Sequence, residues 1–147
     1  VKTTEQLGLN IHTTEWYVFF GKEAMTIRLF KTKGFAVAAK KALIHDDELL
    51  AAFRELCRGQ ADDLGGGVWK KRLNANRHRS IVLARGRRYW VFQFLFAKQG
   101  QSNISHQELQ AFRALAKAYE GLDGWQIQQL LEMKAFVEIR HEQAIQD

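Results

Sequence analysis

The chain has 147 residues, 22 lysines and arginines against 16 aspartates and glutamates, a formal charge of +6 and an apolar fraction of 46%. This length fits one domain with a core large enough to need no staple. The single cysteine, Cys57, excludes an internal disulfide, and no apolar run approaches the roughly 18 residues of a membrane span. The five histidines, His12, His45, His78, His106 and His141, follow no metal-ligand spacing. The expectation is a cytoplasmic protein with no metal and no cofactor.

The first elements divide at Met25. Residues 1–24 contain few turn signals and one aromatic burst, Trp16-Tyr17-Val18-Phe19-Phe20, too short for the core of a signal peptide. They are read as an N-terminal extension, possibly upstream of a native start at Met25. The alternative is a genuine N-terminal strand and arm. Residues 25–147 are read as the functional domain.

In that domain, Thr26 to Lys31 alternates apolar and polar residues and predicts a strand. Lys33 to Leu43 predicts a helix. A second helix is capped by Asp46, repeats Leu49, Leu50, Phe53 and Leu56 at helical steps, and ends at Gly59. The short link between the two suggests an αα-hairpin. Gly65-Gly66-Gly67 lacks the Lys-Ser/Thr ending of a phosphate loop and leads into a strand, so it reads as a flexible or bulged lead-in to a sheet. Three strands follow: Val68 to Leu73, Arg79 to Ala84, and Tyr89 to Ala97. The last is apolar enough to be buried on both faces. Arg85-Gly86-Arg87 sits at a hairpin turn, with Gly86 expected at positive φ. Ser105 with Glu108, and Asp123 with Gln126, mark two more helix starts. Ala135 to Ile139 closes the chain as a strand. The order β-α-α-β-β-β-α-α-β predicts an α+β fold, a small and mainly antiparallel sheet with helices packed on it.

Charge is distributed unevenly along this order. Between Leu64 and Gln107 there is no acidic residue, but there are nine basic ones: Lys70, Lys71, Arg72, Arg77, Arg79, Arg85, Arg87, Arg88 and Lys98. A field of one sign attracts a polyanion, and nucleic acid is the commonest.

Strand parity sorts these cations. Lys70 and Arg72 are two apart on one strand and share a face, whereas Lys71 points the other way. Arg79 and Lys98, on or beside neighbouring strands, can converge with the first pair. Such a cluster would bind a phosphodiester and stabilise the extra charge of a five-coordinate phosphorane. RNA supplies its own nucleophile, the 2′-hydroxyl, so no serine, cysteine or metal is required. Lys70, Arg72, Arg79 and Lys98 are the catalytic candidates. His78 and His106 are the candidates for proton transfer. Lys71, Arg77, Arg85, Arg87 and Arg88 are read as peripheral RNA anchors, and Trp69 as an exposed ring that could stack on a base.

The segments Leu64-Gly65-Gly66-Gly67-Val68-Trp69-Lys70-Lys71-Arg72, His78-Arg79-Ser80-Ile81-Val82, Phe94-Leu95-Phe96-Ala97-Lys98, Asn103-Ile104-Ser105 and Glu108-Leu109 resemble, in order and spacing, the RelE/HigB superfamily of type II toxins. The resemblance runs from about Met25 to Ile139 and is nearest the HigB-type branch. It implies a RelE-like microbial RNase fold and a ribosome-dependent endoribonuclease that cleaves mRNA and inhibits translation. The implied partners are the ribosome, mRNA and a cognate helix-turn-helix antitoxin, with no membrane. The family's basic residues fall on Lys70, Arg72, Arg79 and Lys98. Two features depart from the pattern. Gln99-Gly100-Gln101 stands where members often carry charge, and Ser105 falls near the place of the RelE-type C-terminal tyrosine. Two other functions fit the same residues: a non-catalytic inhibitor that docks on RNA or the ribosome, and a ParE-like gyrase poison.

Overall fold

The computed structural model describes residues 7–10, 15–20 and 22–140. His12, His141 and the remaining parts of the two expected segments lie outside the described residues. The elements are β1 (Leu7–Asn10), β2 (Glu15–Phe20), β3 (Glu23–Thr32), α1 (Lys33–Lys41), α2 (Asp46–Cys57), β4 (Asp62–Gly65), β5 (Val68–Leu73), β6 (His78–Leu83), β7 (Tyr89–Ala97), α3 (His106–Glu120), α4 (Gly124–Glu132) and β8 (Phe136–Glu138). They form an α+β fold around one sheet in the order β1-β2-β3-β7-β6-β5-β4, with β8 beside β3. Among the described residues the β3–β7 pairing is parallel and the other pairings are antiparallel.

The expected elements from Thr26 onward all occur. Strand β4 is additional, and β1 and β2 lie within residues 1–24, where a strand and arm was the alternative expectation. One edge of β3 serves two strands in succession: its residues 23–27 pair with β2 and its residues 30–32 pair with β8. Trp16 and Val18 of β2 are buried in the same core as Leu29 and Phe92. At the other end, Arg28 of β3 makes a two-pronged contact with Glu138 of β8, at 2.9 and 2.8 Å. The short outer strand β4 begins with two exposed aspartates, Asp62 and Asp63, which blunt a sheet edge against pairing with other chains.

Helices cover both faces. Phe35 and Ala39 of α1 and Leu49, Phe53 and Leu56 of α2 pack on Leu29, Val82, Trp90 and Phe92. On the opposite face, α3 buries Ala116 against Val68, Ile81, Leu83 and Phe96, while α4 buries Ile127 against Phe30 and Val91. The partner of α1 and α2 is the sheet: α1 lies over β3 and β7, α2 over β5. Asp46 does not cap α2. His45 takes the capping position without a side-chain bond, and Asp46 is the first helical residue, its carboxylate 2.6 Å from the Lys31 ammonium. An acid there still complements the helix dipole, and the lysine reaches it only from β3. The two expected capping boxes, Ser105 with Glu108 and Asp123 with Gln126, are both formed.

The triple glycine closes the β4–β5 hairpin. Gly65, Gly66 and Gly67 have φ of +84°, +68° and +84°, and the register shifts between Asp63 and Gly65, so the lead-in is bulged. Arg113 of α3 donates to the carbonyls of Leu64 and Gly65 and holds this turn under the helix. A side chain at Gly67 would place Cβ 2.5 Å from the Arg85 Cα. At the β6–β7 turn the left-handed residue is Arg87, with φ 62°, not Gly86. At Gly86 an added Cβ would lie 2.9 Å from Cγ of the Glu120 side chain, which would have to shift.

Strand β7 contains one extra residue. Ile81 pairs with Phe94 but Val82 pairs with Phe92, which leaves Gln93 as a bulge. Before it, Tyr89 and Val91 face α4, while Trp90 meets Phe53 of α2 and Phe92 meets Phe35 of α1; after it, Phe94 and Phe96 face α3 and Leu95 faces the other side. The strand is therefore buried on both faces, as expected, but with its parity reset midway. The Tyr119 hydroxyl donates to the Gln93 Oε1 at 2.8 Å, and Thr32 Oγ1 donates to the Gln93 carbonyl at 3.2 Å.

Two measurements test this packing. Gly67→Ala meets backbone atoms at a disfavoured φ and should lower the unfolding free energy by about 2–4 kcal/mol, read as a lower urea midpoint at constant slope. Burial raises the Tyr119 hydroxyl from 10.0 to about 12. The folded state therefore holds this proton more tightly than the unfolded state. The stabilisation is complete below pH 10 and is lost as pH rises toward 12. Urea midpoints between those values should fall less steeply for Tyr119→Phe than for the parent.

Candidate nucleic-acid interface

The cations sort by parity as strand geometry requires. On β5, Lys70 and Arg72 share the face of Val68, which packs toward α3. Arg72 pairs directly with Arg79 on β6, and Arg79 pairs with Phe96 on β7. Lys98 follows Phe94 and Phe96 at two-residue steps, just past the end of β7. Lys70, Arg72 and Arg79 therefore share one face of the sheet, and Lys98 stands in the turn at the end of the sheet where Arg72 and Arg79 lie, its backbone N–H on the Arg77 carbonyl.

Their environment is unusual for cations. Arg79 is only 9% exposed. Its Nη1 donates to the carbonyls of Asn76 at 3.0 Å and His78 at 3.2 Å, both uncharged acceptors. Directly paired residues hold their Cβ atoms about 5 Å apart, so Arg72 and Arg79 repel one another. Among the described residues no carboxylate lies within ion-pair distance of Arg72, Arg79 or Lys98. Lys70 is partly compensated: its Nζ is 3.7 Å from Asp62 and donates to Asn103 Oδ1 at 3.4 Å. A nearly buried guanidinium without a counter-ion, facing a second one, favours an incoming anion.

The other candidates are placed differently. Lys71 lies on the α2 face, 8% exposed, with its ammonium 2.8 Å from Glu55. Trp69 is not an exposed ring. It is half-buried on the same side, its centroid 6.5 Å from that of Trp90, because an odd position on β5 faces the α2 core. His78 also belongs to that side, with Nδ1 3.1 Å from the Asn74 amide nitrogen, so it does not face the cluster. His106 is exposed at the first residue of α3, near Gln110. Arg77 is exposed at the β5–β6 turn, at the site end, and donates to Asn74 Oδ1 at 2.8 Å. Arg85, Arg87 and Arg88 lie at the opposite end of β6 and β7. Arg85 pairs with Glu120 at 3.4 Å, and Arg88 stacks 5.3 Å from the Tyr89 ring centre. Six residues of extended chain from Arg79 to Arg85 correspond to about 20 Å.

Two contributors to the site were not legible in the sequence. Asn103 orients Lys70, and the Asn76 carbonyl holds Arg79. Asn103 precedes the Ser105 capping box closely, which marks it as fixed by a helix start, but nothing local links it to Lys70. A backbone carbonyl leaves no trace in residue type at all.

The repulsion is measurable. Arg72→Thr should raise stability by a few tenths to about 1 kcal/mol at low ionic strength, with the gain shrinking in high salt. A destabilised Arg72→Thr would mean that Arg72 is compensated after all.

Comparison with known families joins this geometry to a lineage. A family model described as the RelE toxin of the RelE/RelB toxin–antitoxin system matches residues 27–139, from β3 to just past β8. No curated protein and no solved structure matches. The matched span carries every cation of the cluster, and on that match the chain belongs to the RelE toxin family, the toxins of RelE/RelB-type toxin–antitoxin systems.

Proposed function

We propose that the protein is a metal-independent mRNA endoribonuclease of the HigB-like kind, acting on ribosome-bound message and neutralised by a cognate helix-turn-helix antitoxin. The observation that carries this reading is Arg79: nearly buried, opposite Arg72, and without a carboxylate partner. A pair so arranged is costly in the free protein and becomes favourable when a phosphodiester enters.

In the proposed reaction the 2′-hydroxyl oxygen attacks the adjacent phosphorus. The O2′–P bond forms, the P–O5′ bond breaks, and the hydroxyl proton is lost while O5′ gains one. The products are a 2′,3′-cyclic phosphate and a 5′-hydroxyl. Arg72 and Arg79 would hold the non-bridging oxygens as charge builds on them, with Lys70 and Lys98 flanking. His106, exposed beside this end of the sheet, fits proton transfer better than His78, which faces α2. Arg77, Arg85, Arg87 and Arg88 would add long-range attraction.

Arg79→Ala should keep the fold by circular dichroism yet lower mRNA cleavage in a translating extract by at least ~100-fold and relieve growth arrest. Undiminished toxicity from folded Arg79→Ala would remove the site assignment. Arrested translation with intact message ends would instead indicate a docking inhibitor. Induction of a DNA-damage response without message cleavage would indicate a gyrase poison.

A further inference from the structure

The β5–β6 connection has a backbone that its residues do not favour. Asn74, Ala75 and Asn76 have φ of 55°, 51° and 70°, three consecutive left-handed residues and none of them glycine. Asparagine tolerates that region through its short polar side chain; alanine has no such compensation. Strain of this kind, about 1 kcal/mol or more per residue, persists only where surrounding contacts over-determine it.

Those contacts lead into the cation cluster. The Asn76 carbonyl accepts from Arg79 Nη1 at 3.0 Å. The next carbonyl, that of Arg77, accepts from the Lys98 backbone N–H at 3.0 Å. The turn is closed by Arg77 N–H donating to the Asn74 carbonyl at 3.0 Å. From the other face, Glu48 of α2 accepts from the Asn74 N–H through Oε2. Glu48 is the third residue of α2, where a glutamate ordinarily turns back to the helix's own capping N–H. Here it reaches out to the turn instead.

We propose that Glu48 is a positioning residue: by clamping the strained Asn74–Arg77 turn from α2, it fixes the carbonyls that set Arg79 and Lys98 in the anion site. The inference rests on the endoribonuclease reading for its catalytic consequence, but the clamp itself is a property of the fold. Without the carboxylate, the turn relaxes to a commoner conformation, the Asn76 carbonyl swings away, and Arg79 loses one of its two backbone anchors. Glu48 touches no substrate, so its loss should misplace a cation and not remove one.

The test compares Glu48→Ala and Glu48→Gln in a translating system with a defined message. Displacement of a reacting group by about 1 Å costs up to roughly 100-fold in rate. Glu48→Ala should lower kcat about ten- to a hundredfold with KM changed less than about threefold. Glu48→Gln keeps an oxygen acceptor for the Asn74 N–H and should cleave within about threefold of the parent. Should Glu48→Ala not fold, Glu48→Asp, one methylene too short to reach, takes its place with the same expected slowing. Parent-like rates in the short or truncated variant, or a Glu48→Gln as slow as Glu48→Ala, overturn the proposal. A readout independent of activity separates this from failure of the endoribonuclease reading. Nitrogen-15 spectra of Arg79 should show distinct, slowly exchanging Nη signals in the parent and in Glu48→Gln, merging in Glu48→Ala. If the parent cleaves nothing, the enzymatic reading fails and this spectrum still decides the clamp. Unchanged Arg79 signals in Glu48→Ala overturn it.

Discussion

The single extra residue at Gln93 governs how the rest of the molecule can be arranged. A strand alternates its side chains strictly, so a regular β7 would send Phe94, Phe96 and Lys98 to the α1–α2 face along with Phe92. The bulge resets that alternation. Phe94 and Phe96 can then meet α3, on the side where Arg72 and Arg79 lie. The irregularity is anchored at both ends of its dipole inventory: Tyr119 donates to the side chain of Gln93 and Thr32 to its backbone carbonyl. Thr32 is also the cap of α1, and Tyr119 sits near the end of α3. One residue thus couples the start of the first helix, the middle of the central strand and the far end of the helix that roofs the site.

The distribution of counter-ions separates structural cations from the cluster. Arg28, Lys31 and Lys71 each find a carboxylate within 2.8 Å or less: Glu138, Asp46 and Glu55 respectively. These pairs join strand to strand or strand to helix. Lys71 stands between Lys70 and Arg72 in sequence, yet it is neutralised because α2, rich in acids, covers its face. Among the described residues no such neighbour stands by Arg72 or Arg79 on the face toward α3, or by Lys98. Like charges set directly opposite across two strands lower stability. A fold that keeps such a pair forgoes stability at that place, as the proposed anion site would require.

Much of this was legible from residue order, and the gaps have physical causes. The parity argument from Lys70, Lys71 and Arg72 gave their faces correctly, because β5 is regular over that stretch. It also held for the direct pairing of Arg79 with Arg72's strand. Trp69 was misread because a glycine-rich lead-in suggested an exposed position; the same parity that frees Lys70 buries Trp69 beside Trp90. Gly86 was misread because glycine serves close approach as well as positive φ, and Glu120, distant in sequence, decides which. The β1–β2 hairpin, where the sequence allowed only a strand and arm as an alternative, and β4, which it did not show, were obscured for different reasons. An aromatic burst without clear turn signals does not declare a hairpin, and Asp62-Asp63-Leu64-Gly65 has no strand propensity of its own; pairing with β5 makes it one. The turn holding Arg79 works through backbone carbonyls, which composition does not record.

The sheet divides into two halves with different tasks. β1, β2, β3 and β8 form a side on which Arg28 and Lys31 are each paired with a carboxylate and whose cores are closed by Trp16, Val18 and Phe136. β5, β6 and β7, with the turns that join and follow them, carry the nine cations of the acid-free window, and β4 borders them with Asp62 and Asp63. The parallel β3–β7 ladder is the seam between them. Because that seam is buried beneath α1 on one face and α4 on the other, movement of the N-terminal strands relative to the cluster would have to break the core. Lys70, Arg72 and Arg79 are therefore displayed on strands packed between helices, and the left-handed run Asn74–Asn76 beside them is tied to a helix on the opposite face. Rigidity on both sides of the sheet is what an electrostatic site needs, since donors that must reorient when charge develops stabilise that charge less than donors already in place.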